Sequence, residues 1–92
     1  MNLLVWVIPV SYNLIEVHWE DAMTTHGWEE EAEIESEPPI VVTVGFLIKE
    51  TEKAYVVAST VGGDQTSNSR IVIPKGMVKF SKLLKFRQTK VK

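Results

Sequence analysis

Residues 40–61, IVVTVGFLIKETEKAYVVASTV, decide the fold of this chain. They contain two apolar runs rich in β-branched residues, separated by the polar residues 50–53 (ETEK). This arrangement is typical of two strands joined by a turn, so we predict a β-hairpin. The first run is apolar on both faces, which indicates a strand that is covered on both sides or bends so that its halves face different neighbours. Gly45 at its centre suits a bend or a bulge.

The segments on either side of the hairpin also show strand patterns. Apolar and polar side chains alternate in residues 14–21, which places Ile15, Val17 and Trp19 on one face of a half-buried strand. Two further strands are predicted after the hairpin, at residues 69–74 and 77–84. The pattern therefore predicts an all-β chain of five or six short strands.

Charge is divided along the chain, although the net charge is only −2. Residues 1–48 contain no Lys or Arg, and residues 75–92 contain no Asp or Glu. The bases of this last part are Lys75, Lys79, Lys82, Lys85, Arg87, Lys90 and Lys92. Such a chain can pair its ends within one molecule or between subunits, or bind a partner with one end.

Residues 22–39 lose the strand pattern and are predicted to form one long acidic loop. Gly27, a run of glutamates and Pro38-Pro39 indicate a loop that ends in extended backbone, with one helical turn in residues 28–34. An acidic run of this kind is ordinarily a solvated face.

Five strands, a long bent hairpin and a short turn before the last strand indicate a small SH3-like barrel of the Sm-like type. Residues 71–80, IVIPKGMVKF, resemble the second Sm motif, in which a strand leads through a basic-Gly turn into an apolar strand. Lys75-Gly76 matches that turn, whereas Met77 and Val78 stand where the family has Asp-Asn. The resemblance implies an all-β barrel of five to six strongly bent antiparallel strands with one long acidic loop.

The 92 residues are predicted to form a single domain. Its parts are an N-terminal strand or arm at residues 1–13, the barrel at residues 14–85 and a loosely ordered basic tail at residues 86–92. The apolar run 2–10 (NLLVWVIPV) is too short to span a membrane and contains Pro9, so we expect a strand and no membrane partner.

A wider resemblance is to a set of short uncharacterised bacteriophage proteins. It rests on VHWEDA at 17–22, HGW at 26–28, VGFLIKE at 44–50, VAST at 57–60 and IPKGM at 73–77. These segments are similar to the family's Trp-Glu-Asp-Ala opening, Gly-Trp pair, Val-Gly-aromatic-Leu strand and Ile-Pro-Lys-Gly turn. The resemblance implies a phage origin and the cytoplasm of an infected bacterial host, and it implies no settled activity.

Two groups of residues are candidate binding sites. Trp28 is a candidate stacking platform for a ligand, with Asp21 and His26 as hydrogen-bonding groups. The alternative is structural, with Trp19 in the core and Asp21 bonded to backbone amides. The basic candidates for contact with nucleic acid or a nucleotide are Lys75, Lys79 and Lys82. The alternative for these lysines is a solvated or subunit-pairing face opposite the acidic loop.

Several kinds of chemistry are disfavoured. The chain contains no cysteine, which excludes disulfides, thiolate zinc sites and a cysteine nucleophile. His18, His26 and Asp21 match no metal-binding spacing, and no G-x-S-x-G elbow is present. We therefore predict no metal, no cofactor and no enzymatic activity.

The function favoured by the sequence is that of a non-enzymatic phage accessory protein acting as an oligomeric binding module. Its partner would be its own copies or a host protein, since barrel edges and an apolar N-terminal strand invite assembly. The alternative is an Sm-like binder of RNA or a nucleotide, including one that sequesters a nucleotide signal of the host.

Overall fold

The computed structural model describes residues 4–5, 12–84 and 90–91. These residues contain the strands β1 (Leu4–Val5), β2 (Asn13–Glu20), β3 (Ile40–Glu50), β4 (Ala54–Val61), β5 (Ser67–Pro74), β6 (Val78–Leu84) and β7 (Lys90–Val91). Their helical segments are two 3-10 turns, Glu31–Glu33 and Lys75–Met77. The all-β prediction is confirmed, and the turn in the acidic loop falls inside the predicted range 28–34.

Strands β2 to β6 form one antiparallel sheet in the order β5-β4-β3-β2-β6. β2 to β5 follow one another as a meander, and β6 returns to pair with β2. The strands predicted in residues 14–84 are confirmed, with ends that differ by one or two residues. The Leu83-Leu84 end belongs to β6.

A separate two-stranded ladder joins the two ends of the chain. Leu4 of β1 lies opposite Val91 of β7, and Val5 lies opposite Lys90. The predicted N-terminal strand at residues 2–10 is therefore seen at residues 4–5, and its remainder lies outside the described residues. The predicted loose tail is seen at residues 90–91, where it is a strand.

The core is built on the inward face of β2. Ile15, Val17 and Trp19 are buried, as their alternation predicts. They pack in one cluster with Val57 of β4 and Ile73 of β5. Because β4 and β5 lie two and three positions from β2 in the sheet order, the sheet must curl to make these contacts.

Two polar side-chain contacts also join different strands of the sheet. The indole N–H of Trp19 donates to Thr43 Oγ1 on β3 at 3.0 Å, so this buried ring keeps a hydrogen-bond partner. The Tyr55 hydroxyl on β4 lies 3.1 Å from Ser81 Oγ on β6. In the backbone ladders β5 and β6 remain the two edges, so the hydrogen-bonded sheet is open.

Strand β3 changes neighbours along its length. Residues 40–47 pair with β2, whereas the pairing with β4 begins at Phe46 and reaches Glu50. The two halves of β3 therefore have different hydrogen-bonded neighbours, as expected for the alternative in which the strand bends. The other alternative, coverage on both sides, does not hold within the described residues, because Ile40, Val42 and Val44 are each more than half exposed.

At Gly45 the backbone of β3 lies close against β4. A Cβ at this position would lie 2.6 Å from the carbonyl oxygen of Ala58 and 2.7 Å from Val57 Cγ1. A backbone carbonyl in a sheet cannot move aside, so the site requires glycine. The register irregularity falls nearby, between Leu47 and Lys49.

Replacing Gly45→Ala should therefore lower the free energy of unfolding by about 1–3 kcal/mol, through the overpacking it causes. The matched control is Gly76→Ala, because nothing lies within 4 Å of a Cβ placed there. Urea unfolding followed by circular dichroism measures both variants. Equal stability of the two variants would contradict the close approach of β3 and β4.

Candidate functional site

The outward side chains of β2 and its two neighbours form one surface, which we call the outer face. Its members are Glu16, His18 and Glu20 of β2, Ile40, Val42 and Val44 of β3, and Phe80 and Lys82 of β6. They share a face because β2 alternates and because directly opposed residues of paired strands point the same way. The same alternation that buries Trp19 therefore determines what the outer face carries.

Apolar side chains occupy much of the outer face. Ile40, Val42, Val44 and Phe80 are each at least half exposed. His18 lies opposite both Val42 and Phe80, and its ring meets the Phe80 ring edge-on with centroids 5.2 Å apart. A continuous row therefore runs across three strands, and exposed apolar patches of this kind mark interaction surfaces.

The charged groups of the outer face are paired within the chain. The Nε2 atom of His18 lies 2.6 Å from Glu16 Oε2, and Lys82 lies opposite Glu16 in the register. The pKa of Glu16 is lowered, chiefly by its hydrogen bond with His18 and also by the charges of Lys82 and His18. Lys79 Nζ lies 2.7 Å from Glu20 Oε1, and this contact raises the pKa of Lys79.

Lys75 lies in a different place, at the 3-10 turn between β5 and β6. Its Nζ is 2.6 Å from Glu50 Oε2 and 4.9 Å from the centre of the Tyr55 ring. Its backbone N–H donates to the carbonyl oxygen of Lys53 in the β3–β4 turn. Lys75 therefore fastens the turn before β6 to the turn of the central hairpin.

Each lysine predicted to contact phosphate thus faces a carboxylate of its own chain. Lys75 and Lys79 make ion pairs, and Lys82 lowers the pKa of its cross-strand neighbour Glu16. Exposed ion pairs contribute little stability, about 0–1 kcal/mol, but they cancel the local positive potential that a phosphate needs. The three lysines do not converge on one another in any described contact.

The acidic loop holds the other predicted site residues. Trp28 is fully exposed, at 104%, and no hydrogen bond, ion pair or ring contact within residues 12–84 involves it. Gly27 precedes it with φ 99°, a conformation that favours glycine. His26 is exposed in the same stretch. No described contact brings Trp28 or His26 to the three lysines.

Asp21 takes the structural role that the alternative gave it. Its Oδ1 accepts the Ala22 N–H at 2.8 Å, and its own N–H donates to the Pro39 carbonyl oxygen at 3.0 Å. The second bond closes the acidic loop at its base, because residues 21 and 39 directly follow β2 and precede β3. Asp21 therefore has a structural role, which the described contacts do not link to His26 or Trp28.

A groove of about 400 Å³ lies at the base of the acidic loop, and we call it the loop groove. Four carboxylates and two methionines are among its lining residues, namely Glu20, Asp21, Glu35, Glu37, Met23 and Met77. Reasoning from the sequence missed it, because the groove forms only where the loop meets the turn before β6. The sole signal in the sequence was the acidic composition of residues 20–37.

The described residues contain neither a metal-ligand cluster nor a membrane-spanning helix. No three His, Cys, Asp or Glu side chains converge there as a ligand set for a metal ion. No helix in the described part of the chain is long and apolar enough to cross a bilayer. Comparisons of the chain with protein-family models, with curated proteins and with solved structures each returned no match.

The lowered pKa of Glu16 has a consequence for stability in acid. A carboxyl group whose pKa is lower in the folded than in the unfolded chain stabilises the fold above its unfolded pKa, and this contribution is lost as pH falls through the folded pKa. Glu16→Gln should therefore be less stable than the wild type near neutral pH, and the difference should shrink in acid. Urea unfolding between neutral and acidic pH measures this.

The control for this measurement is Glu29→Gln, in the acidic loop, where no hydrogen bond between described residues is lost. A stability difference between wild type and Glu16→Gln that stays constant with pH would contradict the contact between Glu16 and His18.

Proposed function

We propose that the chain is a small SH3-like barrel of the Sm-like type that acts as a non-enzymatic, oligomeric protein-binding module. The meander from β2 to β5, the return of β6 to β2 and the 3-10 turn before β6 support the barrel. The contact between Tyr55 and Ser81 supports closure, since it joins β4 to β6 across the inside of the curled sheet.

The outer face is the observation that carries the binding function. It combines four large apolar side chains that are at least half exposed with charges that already pair within the chain. Such a surface loses little by desolvation of unpaired charges and gains from the burial of its apolar groups. A second protein surface, from another copy or from a different protein, matches this chemistry better than a polyanion does.

The phage origin and the cytoplasm of an infected bacterial host belong to the same proposal. They rest on the Trp-Glu-Asp-Ala, Gly-Trp and Ile-Pro-Lys-Gly segments of the chain. The segment IPKG ends β5 and enters the 3-10 turn, so it occupies a position that shapes the fold.

Val42→Lys should weaken self-association, because Val42 lies beside His18 at the centre of the outer face. Loss of a hot-spot contact near the centre of an interface costs about 2 kcal/mol or more, which corresponds to about 30-fold in Kd. Light scattering across a dilution series measures the change. The matched control is Val72→Lys, at an exposed β5 position that lies outside the outer face.

Two results would contradict this proposal. One is a wild-type chain that remains monomeric throughout the dilution series and for which a crosslinking search in cells finds no protein contact at the outer face. The other is association that Val42→Lys leaves unchanged.

The complete exposure of Trp28 supports one alternative function, the binding of RNA or a nucleotide by stacking. A base stacked on an aromatic side chain contributes about 1–3 kcal/mol. The paired state of Lys75 and Lys79 argues against a strong phosphate contribution to such binding. A host nucleotide signal would be the narrower ligand class of this alternative.

We expect weak binding of labelled single-stranded RNA in fluorescence anisotropy, and little change in Trp28→Ala. Binding that weakens steeply with salt, is lost in Trp28→Ala and is retained in Trp28→Phe would instead support the RNA alternative. A thermal shift with one member of a nucleotide panel, abolished in Trp28→Ala, would support the nucleotide alternative.

A further inference from the structure

The loop groove combines an apolar floor with an acidic rim. Met23 and Met77 both line it and both remain close to half exposed. Pro38 lines it as well, at the end of the acidic loop. Methionine side chains adapt their shape to what they contact, so this floor suits an apolar stem or an aromatic ring.

The rim carries more negative charge than the chain neutralises. Glu20 pairs with Lys79, whose raised pKa reflects Glu20 first and Glu37 last. Asp21 and Glu35 each accept one neighbouring backbone N–H through a single carboxylate oxygen. Lys79 is the only base in any described contact with these four carboxylates, so the groove keeps a net negative charge.

The chain's own strongly basic segment begins at the far end of the sheet. In the β2–β6 ladder, Leu14 lies opposite Leu84 at one end, and Trp19 lies opposite Val78 at the other. The groove residues Glu20 and Met77 adjoin the second end. Five residue steps along β2 separate the two ends, which is about 17 Å of extended chain.

The basic segment is residues 85–92, KFRQTKVK, which follow β6 directly. It contains the bases Lys85, Arg87, Lys90 and Lys92 and no acid. Within one chain, the backbone of Lys90 and Val91 pairs with β1 in the separate ladder. The segment whose charge is opposite to that of the groove thus follows the end of β6 that is farther from the groove. Its residues Lys90 and Val91 pair with the N-terminal strand β1 of the same chain.

We propose that the loop groove of one copy binds the basic segment 85–92 of a second copy. The carboxylates of the rim would meet the guanidinium and ammonium groups, and the methionines would pack on their aliphatic stems or on Phe86. Because the groove and the last residue of β6, which the segment follows, lie at opposite ends of the sheet, the contact would be head to tail. Repetition of such a contact builds a ring if it closes and a filament if it does not.

This proposal rests on the oligomeric part of the proposed function but uses a surface other than the outer face. The outer-face contact and the groove contact therefore predict that different variants lose association. It also gives the divided charge of the sequence a specific role, in which the acidic half of one copy meets the basic end of the next.

A charge exchange tests the contact. Variant A carries Lys85→Glu and Arg87→Glu, and variant B carries Glu35→Lys and Glu37→Lys. Each variant alone should associate at least about tenfold more weakly than the wild type, since A leaves the basic segment with no net charge and B leaves the four carboxylate positions of the rim with none. An equal mixture of A and B should recover association, because the unchanged basic segment of B then meets the unchanged groove of A. Sedimentation velocity at low and high salt measures all four samples.

The matched control is Glu29→Lys with Glu30→Lys, which makes the same charge change in the same loop outside the groove lining. Circular dichroism verifies that every variant is folded. The proposal is overturned if A and B associate like the wild type, if their mixture does not recover association, or if the control is as defective as B. If A and B lose stability but still associate, the basic segment binds the groove of its own chain. That result also overturns the proposal.

A peptide of residues 84–92 separates this proposal from that of the outer face. It should bind the full chain and the Val42→Lys variant equally, and variant B at least about tenfold more weakly. Peptide binding that Val42→Lys abolishes and variant B retains would refute the groove and leave the outer face as the interface. Failure of Val42→Lys to affect association, with the peptide still bound in the groove, would refute the outer face alone.

Discussion

Burial of the inward face of β2 is the constraint on which the rest of the structure depends. Ile15, Val17 and Trp19 need apolar cover, and two buried residues that supply part of it are Val57 and Ile73. Those partners lie on β4 and β5, so a flat sheet could not reach them and the sheet has to curl. The close approach at Gly45, the change of neighbours along β3 and the contact between β4 and β6 all follow from that curl.

The same constraint determines the surface chemistry. When the odd-numbered positions of β2 turn inward, Glu16, His18 and Glu20 turn outward beside the apolar residues of β3 and the lysines of β6. Bases that could have formed a phosphate-binding patch are thereby placed against acids. The outer face becomes an apolar surface with neutralised charges, and the excess negative charge remains in the acidic loop and the loop groove.

Much of this could be predicted because the relevant patterns are local. The alternation in residues 14–21 was sufficient to predict that Ile15, Val17 and Trp19 are buried and to locate β2 within one residue. The hairpin of β3 and β4 followed from two apolar runs and a polar turn. The candidate site was less predictable, because Trp28, His26 and the lysines carry suitable chemistry but share no described contact.

The sequence by itself determined the strands, the inward residues of β2, the acidic loop and the separation of acidic from basic segments. Only the tertiary structure decided that Lys79 meets Glu20, that Lys75 meets Glu50, and that the loop and the turn before β6 enclose a groove. The reason is that strand periodicity depends on adjacent residues. The register between β2 and β6, which are about sixty residues apart, depends on how the whole curled sheet packs around its core.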